Sequence, residues 1–122
     1  MRALLSIRPQ YTKLIFAGQK RFEYRRTIFK QPISSVVVYA SAPVSMVIGE
    51  FEVTGVFHDH IDALWDSTSS HGGVSKQFFY SYFSGKEQGY AIGIGNTTLY
   101  RVPKGLQQEY GVRPPQSFLY LG

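Results

Sequence analysis

The stretch 34–57, SSVVVYASAPVSMVIGEFEVTGVF, constrains the fold more than any other. SVVVYA is continuous, uncharged and β-branched, the composition of a strand covered on both faces. Ala42-Pro43 turns the chain, and residues 46–57 then alternate as a long strand. Val47, Phe51 and Val53 share one face; Ile48, Glu50, Glu52 and Thr54 share the other. Gly49 and Gly55 predict bends or bulges, as when a sheet curls toward a barrel.

The flanking segments supply further strands and short helices. ALLSI at 3–7 reads as a buried strand that ends at Arg8-Pro9. Pro9 suits the first turn of a helix, where its missing N–H costs nothing. Tyr11, Leu14 and Ile15 then fall on one helical face, and Gly18 supplies the stop. A strand follows at about 20–28, with Phe22 and Tyr24 on one face and Arg21, Glu23 and Arg25 on the other. Over 59–85 the period becomes helical. IDALWDS forms a short helix capped by Asp59, and VSKQFFYSYFSG a second, capped near Gly73 or Ser75 and closed by Gly85. Residues 89–102 return to strand spacing, with a hairpin turn expected near Gly95-Asn96 leading into Leu99-Tyr100-Arg101. A short helical piece follows Pro103, and FLYL at 118–121 is the last strand. Five or six short strands with helices inserted between them, rather than alternating one for one, predict an α+β domain around a curled, mostly antiparallel sheet. One such domain is expected over residues 1–122.

Charge is informative by its placement. Eight of the thirteen basic residues, but only one of the eight acids, lie in the first thirty positions. Such a concentration suits a polyanionic partner; its bland alternative is a solvated basic face. Nine tyrosines, nine phenylalanines and Trp65 are many for a chain of this length; some belong to the core, and tyrosines also suit a wet binding surface. The absence of cysteine excludes disulfides and a thiol nucleophile. The N-terminus lacks the apolar run of a signal peptide, and no stretch approaches the roughly 18 apolar residues of a spanning helix. A cytoplasmic location without membrane association or cofactor is the expectation.

The lone acid, Glu23, sits inside GQKRFEYRR at 18–26. Gly18-x-Lys20-x-x-Glu23-x-Arg25 resembles the G-x-K-x-x-E-x-R signature of the ASCH family, a branch of the PUA-like β-barrel superfamily. LLSIRPQYTKLIFAGQK, YASAPV with VIGEFEV, and PPQSFLYL are similar to family segments, in particular to small stand-alone ASCH proteins described as probable regulators. The resemblance spans nearly the whole chain. It implies a pseudo-barrel with a cleft between barrel and inserted helices, where the charged groups of the motif converge. It also implies RNA or a nucleotide-like ligand. Some members remove an acyl group from the N4 amine of modified cytidine, and some cleave RNA. The N4 hydrolases carry threonine where this chain has Glu23, and a glutamate in a region that here reads DSTSSHGG.

Three roles are open to Glu23 from its neighbours alone. It can hold an arginine rigid for a ligand, serve as a base, or simply brace the strand. In the binding role Lys20 and Arg25 neutralise phosphate while Arg21, Arg26 and Arg8 extend the positive surface. Tyr39 is a candidate base-stacking residue, and Ser41 and Ser117 are candidate cleft hydroxyls. In a hydrolase acting on a substrate such as N4-acetylcytidine, Lys20 and Glu23 are the catalytic candidates. A protein-interaction domain with an acidic partner is the third reading. His58-Asp59-His60 lacks a third ligand at metal-site spacing and reads as a strand-to-helix corner, so no metal is expected. Gly93-Ile94-Gly95 reads as strand, not phosphate loop. Phe78, Phe79, Tyr82 and Phe83 form a helical core stripe, with Tyr80 off it.

Overall fold

A computed structural model describes all 122 residues. Along the chain come β1 (Arg2–Ile7), α1 (Pro9–Phe16), β2 (Phe22–Arg25), β3 (Ser35–Ala40) and β4 (Met46–His60). These are followed by α2 (Ile61–Thr68), one 3₁₀ turn (Ser69–His71), α3 (Lys76–Tyr82), β5 (Gln88–Lys104), α4 (Leu106–Tyr110) and β6 (Phe118–Leu121). The six strands form one sheet in the order β2-β5-β4-β3-β1-β6. Only β1 and β3 pair in parallel; every other pairing is antiparallel. The architecture is the α+β arrangement of a curled sheet with short helices set against it.

The uncharged run of β3 is central because β1 lies on one side of it and β4 on the other. Its alternate residues feed two cores. Val36 and Val38 join Leu5, Ile7, Ile15, Phe51, Ile92 and Ile94 inside the curl. Val37 and Tyr39 face the other way, onto Leu4, Val47, Leu106 and Leu121. A third cluster, with Tyr24, Leu64, Phe79 and Phe83, seats α2 and α3 on the sheet. Pairing irregularities after Val47, Phe51 and Val53 supply the curvature that Gly49 and Gly55 predicted. Gly49 has a second reason to be glycine: a Cβ there would lie 2.5 Å from the Thr98 carbonyl oxygen and 2.6 Å from the Phe16 ring.

Three local expectations are corrected. No hairpin forms at Gly95-Asn96; β5 runs unbroken for 17 residues. Its partner β4, 15 residues long, pairs with it from Val47 opposite Lys104 to His60 opposite Gln88. That ladder of backbone bonds outweighs the local turn preference of a Gly-Asn pair. Because β4 reaches His60, the cap of α2 is His60, whose Nδ1 accepts from Asp62 N at 3.2 Å. The Asp59 carboxylate instead accepts from His60 N at 2.7 Å. Finally, β2 covers only 22–25, so Lys20 belongs to the helix exit rather than to a strand.

The curl does not close through backbone pairing, since β2 and β6 remain the sheet's two edges. Side chains cross the seam instead. Lys30 N and Gln31 N donate to the Tyr120 hydroxyl at 2.7 and 3.2 Å, and Phe29 meets Phe118 edge-on at 5.4 Å. Arg25, on the β2 edge, donates to the Ser6 and Ser117 carbonyls at 3.1 and 3.2 Å.

Candidate functional site

The site begins with how α1 ends. Gly18 takes φ +79°, and the backbone N–H groups of Gly18, Gln19 and Lys20 fold back onto the carbonyls of Ile15 and Leu14 at 2.9–3.1 Å. This reversal turns the Lys20 side chain inward. Only 1% of the residue is exposed, and its ammonium donates to the Gly72 carbonyl. The ammonium also lies 5.1 Å from the Tyr24 ring centre and 5.5 Å from that of Tyr11, at cation–π distances. Two glycines shape this seat. A Cβ on Gly73 (φ +69°) would come within 2.8 Å of the Lys20 stem, and one on Gly72 within 2.3 Å of the Tyr24 hydroxyl. Tyr24 in turn pairs with the Thr68 hydroxyl at 2.7 Å, tying β2 to the end of α2.

Burial lowers the pKa of Lys20; the Glu23 carboxylate opposes that shift, and the Arg25 charge adds to it. Glu23 Oε1 lies 3.9 Å from the amine, and Oε2 accepts from Arg25 Nη2 at 2.9 Å. Arg25 does not form a bidentate fork on Glu23, because Nη2 is shared with the Ser6 carbonyl and Nη1 is held by Ser117. Lys20, Glu23 and Arg25 thus form a chain of alternating charge at the seam between the sheet edges.

Above these groups opens a cleft of about 270 Å³. Tyr11, Phe78 and Tyr82 give it aromatic walls, and Arg8 stands on its lining with the guanidinium 6.0 Å over the Phe78 ring. Ser6 and Gln116 complete its polar boundary. Burial also raises the pKa of Tyr82, with the Arg25 charge acting against it.

Of the residues singled out from sequence, Lys20, Glu23, Arg25 and Arg8 meet in this cleft. Arg21 does not: it is exposed, and its backbone pairs with His71 and Ile94. Arg26 turns away to donate to the Tyr82 and Ser84 carbonyls at 2.8 and 3.1 Å, where it caps the end of α3. Ser117 touches the site through its carbonyl; its hydroxyl faces Thr27 at 3.5 Å. Tyr39 sits 7% exposed in the core cluster on the other side of β3, and Ser41 lies at the strand end bonded to Ile7. The alternation of β3 explains this placement, since Tyr39 shares its face with Val37 and not with Val38. His58 stacks on Tyr90 at 4.3 Å, apart from His60 at the α2 cap. Sequence reasoning missed the cleft roles of Tyr11, Phe78 and Tyr82. A helical stripe reveals an inward face but not that part of this face borders a hollow.

Comparison with known proteins places this geometry. The family model described as the ASCH domain matches residues 5–96. The ASCH domain-containing ribonuclease of Zymomonas mobilis is 31% identical over 124 residues, covering 98% of this chain and 83% of that protein. The large ribosomal subunit protein uL22 of Ureaplasma parvum is 27% identical over 119 residues. That match takes in 97% of this chain but 38% of the relative, so the chain spans little more than a third of that protein's length. A crystal structure of ASCH from Zymomonas mobilis superposes with a TM-score of 0.91 at 29% identity, covering 99% of this chain and 87% of that one. A protein from Enterococcus faecalis shares the fold alone, with a TM-score of 0.63 at 10% identity. Matched by the family model over residues 5–96 and by a 31% identical relative along nearly its whole length, the chain belongs to the ASCH domain family.

Proposed function

We propose that the cleft binds RNA, one nucleotide at a time, and that the Lys20–Glu23 pair cleaves the strand there. The observation that carries this reading is a fully buried amine facing a carboxylate under a cleft open to solvent and walled by aromatic rings. Burying a lysine costs stability even where a carbonyl and a carboxylate offset part of it, and buried titratable groups beside a charge partner in a cleft cluster at functional sites. A base enters between Phe78, Tyr82 and Tyr11, while Arg8 meets a phosphate at the rim. The sequence similarity to a protein named as a ribonuclease supports the same direction.

The chemistry balances with the groups at hand. The Glu23 carboxylate takes the proton of the ribose 2′-hydroxyl, and the 2′-oxygen attacks the adjoining phosphorus. The bond from phosphorus to the 5′-oxygen breaks, and the Lys20 ammonium supplies the proton to that leaving oxygen. The products are a 2′,3′-cyclic phosphate and a free 5′-hydroxyl. A proton passed from Glu23 to Lys20, directly or through one water, restores the pair. Lowering the Lys20 pKa strengthens it as an acid, as this step requires.

The test is incubation of a short RNA, and a DNA of the same sequence, with wild type and Lys20→Met. Cleavage of RNA alone, lost in the variant, is the expected outcome. Equal scission by both proteins refutes the assignment. The small volume of the cleft also suits a single modified nucleoside. Release of acetate from N4-acetylcytidine without strand scission would replace cleavage by amide hydrolysis at the same residues.

A further inference from the structure

We propose a second nucleotide subsite beside the cleft, built on His58 and Tyr90, which takes the base next to the one held over Lys20. This inference rests on the RNA reading above. Arg25 of β2 pairs with Tyr90 of β5, and Tyr90 pairs with His58 of β4. Side chains of directly paired residues stand on one face, roughly 5 Å apart. Arg25, Tyr90 and His58 therefore form a row that leads away from the cleft across three strands. At its end the imidazole lies flat on the phenol ring, with centres 4.3 Å apart and planes at 12°.

This stack belongs to none of the three core clusters, and His58 is exposed. It borders a hollow of about 610 Å³ that Arg26, Thr27 and Lys86 also line, together with one acid, Glu87. Lys86 takes part in none of the chain's four salt bridges. Arg26 gives both of its hydrogen bonds from Nη1. One contact links the two: Tyr82 lines the cleft, while its carbonyl holds Arg26, which lines the hollow. A flat aromatic surface flanked by Lys86, which is free of ion pairs, and by the Nη2 of Arg26, which makes no hydrogen bond within the fold, is the arrangement that stacks a base of any identity and neutralises the phosphate beside it.

The test compares the binding of 2′-O-methyl uridine mono-, di- and trinucleotides, which cannot undergo 2′-attack, by titration calorimetry. One added stacked base should tighten binding about tenfold from mono- to dinucleotide. His58→Ala should abolish that gain while leaving mononucleotide affinity within about twofold of wild type; Lys86→Ala should weaken only the longer ligands. A histidine Cε1–H resonance that shifts with the dinucleotide, and not with the mononucleotide, would place the second base at His58. Equal affinity for all lengths, or a gain that survives His58→Ala, overturns the subsite while RNA binding in the cleft stands. Failure of every length to bind overturns the RNA reading and the subsite with it.

Discussion

Replacing Arg25 by methionine keeps the apolar stem that packs at the seam but removes a guanidinium engaged in three hydrogen bonds. Those bonds run to Glu23 at 2.9 Å, the Ser6 carbonyl at 3.1 Å and the Ser117 carbonyl at 3.2 Å. Bonds to a charged group contribute about 1.5–3 kcal/mol each, but these share one side chain and do not add. Removing one member of a buried ion pair costs about 3–5 kcal/mol. The Arg25 and Glu23 side chains are 13% and 11% exposed, which places the expectation toward the lower end, at about 3 kcal/mol. With a urea slope of about 2 kcal/mol per molar for a chain of this size, the unfolding midpoint should fall by roughly 1.5 M. Glu23→Gln in the same background is the decisive arm. Without the guanidinium the carboxylate is a liability, so the double variant should be at least about 1 kcal/mol more stable than the sum of the single changes predicts. A loss below about 0.5 kcal/mol for Arg25→Met, or strict additivity in the double variant, would show that the seam does not depend on this residue.

Lys20→Met isolates the cost of the buried amine. Because the folded pKa of Lys20 is lowered, the folded state releases this proton more readily than the unfolded chain, whose lysine titrates near 10.5. Wild-type stability therefore gains from this group as pH rises through the folded pKa toward 10.5, and the gain is absent from the variant. Any advantage of Lys20→Met in urea unfolding should thus be larger at pH 7 than at pH 9.5; a gap independent of pH would contradict the lowered pKa. Gly73→Ala combines a left-handed backbone with a Cβ driven into the Lys20 stem. It should cost about 1–3 kcal/mol and lower the melting temperature by about 5–10 °C, with loss of RNA cleavage. An unchanged melting temperature would mean that the loop relaxes freely around Lys20. RNA affinity should fall with salt at a log–log slope of about −2, since few of the basic residues remain free to meet phosphate. A slope near −5 would mean that the bases bonded within the fold also reach the backbone of the ligand.

Much of this fold is legible wherever burial and chain geometry act locally. The uncharged β3 run, Pro9 at the head of α1, Gly18 at its end and Ser75 as the cap of α3 each follow from the chemistry of one or two residues. What stays hidden depends on partners distant in sequence. Gly95-Asn96 has the composition of a turn, but 15 residues of β4 pair across it. Phe78 and Phe79 are adjacent and chemically identical; one borders the cleft and the other is fully buried, a difference set by where α3 lands on the sheet. Gly72 and Gly73 look like ordinary loop residues until Lys20 and Tyr24 are seen packed against them. Tyr39 and Ser41 lie in a family-like segment, yet strand alternation carries Tyr39 to the far side of the sheet.

The charge pattern of the first thirty residues changes meaning once the seam is seen. Read as a sum, it suggests a broad cationic surface. In the fold, Lys20 is buried, Arg25 joins the sheet edges and Arg26 caps a helix, so three of the four bases in residues 18–26 are bound within the protein. The seam explains why they are needed. A curled sheet that stops short of closure leaves its two edge strands without a backbone ladder between them, and Arg25 on the β2 edge reaches across to the carbonyls of Ser6 in β1 and of Ser117 just before β6. A guanidinium can bridge two such carbonyls, but only if its own charge is balanced nearby. Glu23 provides that balance, and its second oxygen is then turned toward Lys20. The carboxylate proposed to act on the ligand is thus held in place by the arginine that closes the fold. Glu23→Gln should accordingly impair cleavage and loosen Arg25 together, whereas Lys20→Met should impair cleavage while leaving the seam intact. Hydrogen exchange at the β2 and β6 amides separates the two: faster exchange in Glu23→Gln alone supports the linkage, and faster exchange in both, or in neither, breaks it.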